Sequence, residues 1–233
     1  MANAATLSPS GDPTTTRGAI LPAGLVVFIL AMMLYGASAS RGIQWQDRGA
    51  NVLRIIQQQP VSELGLALSH PLHHWICRGA GALGLVSPPL ATSLVSAMFG
   101  AATIAGVFAC VVTLTQCRRS AALAAASLML ANTFWQMSAL AEVYTITTAF
   151  LAGECWCLIA LARSSRTHWL VLAALLNGLG VSNHLQSGLT APVLAAIAVH
   201  LLWRRRLRPP TAVAVQLAWL LGAGLYGFYV LQA

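Results

Sequence analysis

An all-α polytopic membrane protein, with about seven transmembrane helices, is what this sequence predicts, and three observations carry the prediction. Of its 233 residues, 58% are hydrophobic and 8% charged, whereas a soluble domain carries roughly 25% charged residues. The apolar residues fall into runs of about 20, the length a helix needs to cross hydrocarbon. The thirteen basic residues are all arginine, and most of them sit in short stretches between those runs. The net charge of +8 therefore reads as membrane topology rather than as a nucleic-acid surface.

Taken in order, residues 1–18 are rich in Ser, Thr, Pro and Gly and are expected to be disordered. Arg17 and the run 19–36 have the outline of a signal peptide. That run is long for a cleavable apolar core, and no soluble domain follows it, so it reads as a retained helix. A long loop, 37–89, comes next and is expected to carry two interfacial helices. Within 47–58, Val52, Leu53 and Ile56 share one side, with Arg48, Asn51, Arg54 and Gln58 elsewhere. Within 72–84, Leu72, Trp75, Ile76, Gly79 and Leu83 follow helical spacing, and His74 and Arg78 fall off that face. Both patterns suit helices lying in the membrane surface. Pro71 fits the start of the second, and Pro88-Pro89 closes the loop.

Six further spans are predicted at 90–116, 120–138, 141–162, 168–183, 185–203 and 211–231, making 19–233 a single transmembrane domain. With the N-terminus in the cytoplasm, nine of the thirteen arginines fall in inside loops: Arg17, Arg118, Arg119, Arg163, Arg166, Arg204, Arg205, Arg206 and Arg208. Arg41, Arg48, Arg54 and Arg78 all lie in the one long outside loop. Every short inside loop is then basic, and the C-terminus is extracytoplasmic. The five cysteines lie mostly in or beside apolar runs and form no metal or disulfide spacing.

This topology sends the unusual polar residues to one face: Asp47, His70, His73 and His74 in the long loop, Gln136, Glu142 and Tyr144 at the second outside turn, and Asn183, His184 and Gln186 at the third. Asp47 sits where a helix N-cap or a first-turn acid would, and it equally suits a general base. Glu142 has the same double reading, at a depth where acids are expensive and usually functional. His184 is either a satisfied interfacial group or a phosphate ligand. His73 and His74 are adjacent and face different ways on a helix, so no metal is expected. Glu154 lies twelve residues beyond Glu142, about 18 Å along a helix, and is expected to hydrogen-bond another helix.

Four motifs run through this face: Gln46-Asp47-x-Gly49; Leu66-Ala67-Leu68-Ser69-His70-Pro71-Leu72; Phe134-Trp135 followed by Ala141-Glu142-Val143-Tyr144-Thr145; and Gly178-Leu179-Gly180-x-x-Asn183-His184-Leu185. Together they resemble the GT-C-type membrane glycosyltransferases, the family that includes the protein O-mannosyltransferases of the endoplasmic reticulum and many bacterial members. Arg48 and Ala50 stand where the family often has Ser and a polar residue around its motif, and Leu72-His73 stands where it often has Pro-Gly.

The resemblance implies a GT-C-like fold and transfer of a sugar from a polyprenyl-phosphate donor to an acceptor hydroxyl on the extracytoplasmic face. It gives the catalytic role to Asp47, with Glu142 beside it. His70, Arg48, Arg54, Arg78, Asn183, His184 and Tyr144 are the candidates for holding donor and phosphate. No cofactor is expected, the lipid-linked sugar being a substrate. The expected partners are membrane lipid, the polyprenyl-phosphate sugar, an acceptor protein or glycan, and a second membrane subunit. The expected location is a bacterial plasma (inner) membrane. The alternative is a non-catalytic subunit that keeps the fold and binds a protein or lipid. A transporter would need polar residues through the bilayer midplane, where Glu154 stands almost alone.

Overall fold

The computed structural model describes residues 13–62 and 65–232, and no strand occurs among them. Residues 1–12 of the segment expected to be disordered lie outside the described residues. The remainder of that segment is helical, because α1 runs Pro13–Ala37.

The long loop holds two helices, α2 (Asp47–Gln57) and α3 (Pro71–Ala82), with a 3₁₀ turn at Leu66–Leu68 between them. Both helices leave large apolar side chains on their outer surface. α2 buries Asn51, Val52 and Ile55, while Leu53 and Ile56 are exposed. α3 buries Pro71, His73, His74 and Cys77 and leaves Trp75 exposed. The reason is the solvent. Beside a bilayer the outward surface is itself apolar, and of the apolar side expected for α2 only Val52 turns inward. Trp75 still satisfies its ring N–H by donating to the Tyr229 hydroxyl at 3.0 Å.

The remaining helices are α4 (Pro88–Thr115), α5 (Arg118–Met129), α6 (Asn132–Ala139), α7 (Tyr144–Ser164), α8 (His168–Asn183), a 3₁₀ segment Leu185–Thr190 leading into α9 (Ala191–Trp203), and α10 (Pro209–Val230). Four segments are long and apolar enough to cross a membrane: Pro88–Thr115, Tyr144–Ser164, Leu185–Trp203 and Pro209–Val230; Leu21–Ala37 is a shorter apolar helix. The single span expected at 120–138 is a correction. Leu130 ends α5 and Ala131 turns extended, so two short helices replace it. The break leaves the carbonyl of Met129 without a helical partner, and the Tyr35 hydroxyl of α1 donates to it at 3.0 Å.

α4 packs between α1 and α7, and α8 between α7 and α10. Gly178 and Gly222 set the α8–α10 approach. A Cβ on Gly222 would meet the carbonyl oxygen of Leu175 and the amide of Leu179, each at 2.6 Å, so this contact is backbone against backbone. Below it, Glu154 accepts from Asn177 at 3.0 Å and from Thr190 at 3.1 Å. Asn177 in turn accepts from the indole of Trp219 at 2.8 Å. The interhelical hydrogen bond expected of Glu154 is therefore part of a network joining α7, α8, α10 and the 3₁₀ segment.

Helix direction sorts the ends of the bundle. Arg118 and Arg119 open α5, Arg163 and Arg166 lie at the end of α7, and Arg204, Arg205, Arg206 and Arg208 join α9 to α10. A guanidinium N–H of Arg163 donates to the Leu114 carbonyl at 2.8 Å, binding this end of α7 to that of α4. The start of α7, the end of α8, α2 and α3 lie at the other end.

Candidate functional site

That other end holds a cavity of about 560 Å³, lined by Asp47, Arg48 and Arg54 of α2, His70 before α3, Glu142 and Tyr144 at the start of α7, and His184 after α8. The backbone that delivers these groups is strained in two places. Gln46 has φ 60° and His70 has φ 49°, a left-handed region that side chains other than glycine rarely occupy and that clusters at functional sites. His70 also precedes Pro71, which adds a further restriction. The chain enters α2 so closely that a Cβ on Gly49 would strike the carbonyl of Gln44.

Asp47 is the first residue of α2, where the helix dipole favours a negative charge. Its side chain is exposed and forms no hydrogen bond or ion pair among the described residues. Arg48 forms an ion pair with Glu142 at 2.5 Å, the carboxylate side being the buried one. The backbone of Glu142 is clamped to α4: its N–H donates to Ser96 Oγ at 2.9 Å, and Ser96 Oγ donates to its carbonyl at 3.1 Å. Arg54 donates to the carbonyls of Leu68 at 3.2 Å and Ser69 at 3.4 Å and to Asn51. It holds the loop end against α2, and its charge stays on the cavity wall.

The two histidine rings are stacked, with centroids 4.9 Å apart and planes inclined at 23°, and Tyr144 lies 5.4 Å from His184. His70 Nδ1 lies 3.0 Å from the backbone carbonyl of Asn183. A carbonyl only accepts, so the Nδ1 of His70 carries the proton. His184 Nδ1 accepts from the amide of Gln186 at 3.1 Å, so its proton sits on Nε2. Burial pushes the His70 pKa down to about 4, with the Asn183 bond opposing that shift and the charge of Arg54 adding to it. Burial lowers the pKa of His184 as well. Both rings are therefore neutral near pH 7.

The structure thus gathers Asp47, Arg48, His70, Glu142, Tyr144 and His184 around one space, with two sequence candidates elsewhere. Arg78 lies over the Trp75 ring, 5.2 Å from its centroid, and does not line the cavity. Asn183 is buried, and its side chain donates to the Val143 carbonyl at 2.8 Å and to Thr147 at 2.9 Å. It positions His70 through its own carbonyl. Arg54, named from the sequence beside Arg48 and Arg78, lines the cavity as well. Ser96 is one serine among many in apolar helices, and nothing in its neighbours marked it.

A second cavity of about 490 Å³ adjoins the first through Tyr144, which lines both. Its walls are mostly apolar, with Phe150, Leu151, Leu176 and Leu189, and Glu154 is among the residues that line it.

The family model of the dolichyl-phosphate-mannose-protein mannosyltransferases matches residues 69–226. The match takes in His70, Glu142, Tyr144, Asn183 and His184 and begins after α2, so Asp47, Arg48 and Arg54 lie outside it. No curated protein and no solved structure matches the chain.

Proposed function

The chain belongs to the dolichyl-phosphate-mannose-protein mannosyltransferase family, and on that footing we propose that it moves a sugar from a polyprenyl-phosphate donor to an acceptor hydroxyl at the extracytoplasmic face. The observation that carries this reading is the cavity at one end of the apolar helices, where an unpaired carboxylate, Asp47, faces two guanidinium groups. Transfer needs both. The acceptor oxygen bonds to the anomeric carbon, the bond from that carbon to the phosphate oxygen breaks, and the phosphate leaves with the electron pair. Asp47 takes the hydroxyl proton. Arg48 and Arg54 meet the charge that gathers on the departing phosphate. Glu142 keeps Arg48 in place. The mostly apolar second cavity, joined to the first at Tyr144, suits a lipid chain attached to that phosphate.

The arginine-rich loops lie at the opposite end of the helices, which supports a multi-pass plasma-membrane protein with those loops in the cytoplasm. The second reading, a non-catalytic subunit, draws on the place of Asp47 at a helix N-terminus, where an acid needs no chemistry to justify it.

The test is transfer of mannose from polyprenyl-phosphate mannose to a serine- and threonine-containing peptide by the purified chain in lipid nanodiscs, comparing Asp47→Ala with the wild type. Loss of about 10²-fold or more in rate with unchanged insertion supports the proposal. Equal rates for the two proteins remove Asp47 from the mechanism, and absence of transfer by the wild type leaves the subunit reading.

A further inference from the structure

We propose that the stacked pair His70 and His184 is the subsite for sugar hydroxyls, and that the phosphate is held by the arginines of α2. This rests on the glycosyl-transfer reading and divides its site in two. The argument comes from the tautomers. The Asn183 carbonyl takes the Nδ1 proton of His70 at 3.0 Å, which leaves the His70 Nε2 as an acceptor. The Gln186 amide occupies the His184 Nδ1 at 3.1 Å, which leaves the His184 Nε2–H as a donor. Neither Nε2 has a partner among the described residues, and neither is sealed off from solvent.

Two near-parallel rings 4.9 Å apart thus present one acceptor beside one donor. The phosphodiester anion that joins a sugar to a polyprenyl chain has only acceptor oxygens, so the lone pair on His70 would repel it. A hydroxyl both donates and accepts, and neighbouring hydroxyls on a sugar match an acceptor next to a donor. Tyr144, 5.4 Å from His184, extends the ring surface for the apolar face of the sugar. The cationic groups of the cavity are Arg48 and Arg54, both on α2. Phosphate is drawn there by charge.

The backbone agrees with a positioned pair. His70 holds φ 49° before a proline, a conformation that persists only when the surroundings fix it. What fixes it is the bond to Asn183, on a helix reached 113 residues later.

Two measurements test the proposal in the full chain in nanodiscs. Nitrogen-15 NMR of ring-labelled histidine reads the tautomers directly. Neutral His70 protonated on Nδ1 and neutral His184 protonated on Nε2 are the expected result, and the reverse assignment at either ring overturns the proposal. Binding is then compared for polyprenyl-phosphate mannose and for polyprenyl phosphate without sugar. One lost hydrogen bond corresponds to a few-fold change in affinity. His70→Ala and His184→Phe, the latter keeping a ring in the stack, should each weaken the mannosyl lipid about five-fold and leave polyprenyl phosphate within about two-fold. Arg54→Ala should weaken both lipids. Equal loss of both lipids in the histidine variants overturns the proposal, as does loss of neither. A wild-type chain that has the stated tautomers but binds neither lipid removes the glycosyl-transfer reading, and the subsite with it.

Discussion

The backbone carbonyl of Asn183 accepts a hydrogen bond from the Nδ1 of His70 at 3.0 Å. The bond joins the end of α8 to the start of α3, and the Asn183 side chain joins the same point to Val143 and Thr147. One residue therefore sets the relative positions of three walls of the cavity.

Asn183→Ala should be destabilising by about 2 kcal/mol, because it strands a buried carbonyl and a half-buried hydroxyl. Thermal unfolding in detergent reads this. The transfer rate should fall as well, although Asn183 does not line the cavity. A variant with wild-type stability would mean that water replaces the amide without loss.

The Arg48–Glu142 pair should show asymmetry in a double-mutant cycle. Arg48→Ala leaves a carboxylate that is largely buried without its partner, whereas Arg48→Ala with Glu142→Gln leaves none. The single variant should therefore unfold at the lower temperature, with a coupling of about 1 kcal/mol. Additive effects would show that solvent already screens the pair.

Acid should destabilise the fold through the buried histidines. Burial lowers the His73 pKa to about 3, with His70, Arg54 and His74 adding repulsion. It lowers His70 and His74 to about 4, the charges of Arg54 and Arg78 contributing at His74. These folded values lie below the ordinary histidine value of about 6.5. As pH falls through 6.5, the unfolded chain binds protons that the folded chain refuses, so stability drops down to about pH 3–4. Each ring contributes at most about 1.4 kcal/mol per pH unit in that window. His73→Phe should flatten the slope of melting temperature against pH. A wild-type melting temperature that stays constant from pH 7 to about 4.5 would contradict the buried, neutral state of these rings.

Gly222→Val should push α8 and α10 apart. The atoms facing its Cβ are backbone, at 2.6 Å, and no side chain there can rotate away. A loss of about 3 kcal/mol is expected in thermal unfolding, whereas Gly224→Val, with nothing within 4 Å of its Cβ, should be near neutral.

Much of this was legible in the sequence because lipid imposes simple rules. Apolar runs of the right length marked most of the helices. The arginines of the short loops marked one end of the bundle, and Asp47, His70, Glu142, Asn183 and His184 collected at the other. What stayed hidden depends on contact rather than composition. The break at Leu130–Ala131 interrupts an apolar run with no proline or glycine to announce it, and Tyr35, far off in α1, supplies the missing bond. Helical spacing grouped Val52 with Leu53 and Ile56, yet Val52 packs inward while the other two stay exposed, because spacing does not tell which edge of an apolar stripe meets protein. Asn183 and Arg78 were chosen for their chemistry, but their neighbours decide what each side chain can reach.

The reciprocal bonds between Ser96 and the backbone of Glu142 restrict motion as well as position. Axial sliding of α7 along α4 breaks both bonds at once, whereas tilting about Ser96 keeps them. Tilting is opposed further along, where Thr103 and Thr148 share a hydrogen bond at 3.0 Å and a Cβ on Gly106 would strike Ala152, so the Glu142 wall of the cavity stays tied to α4.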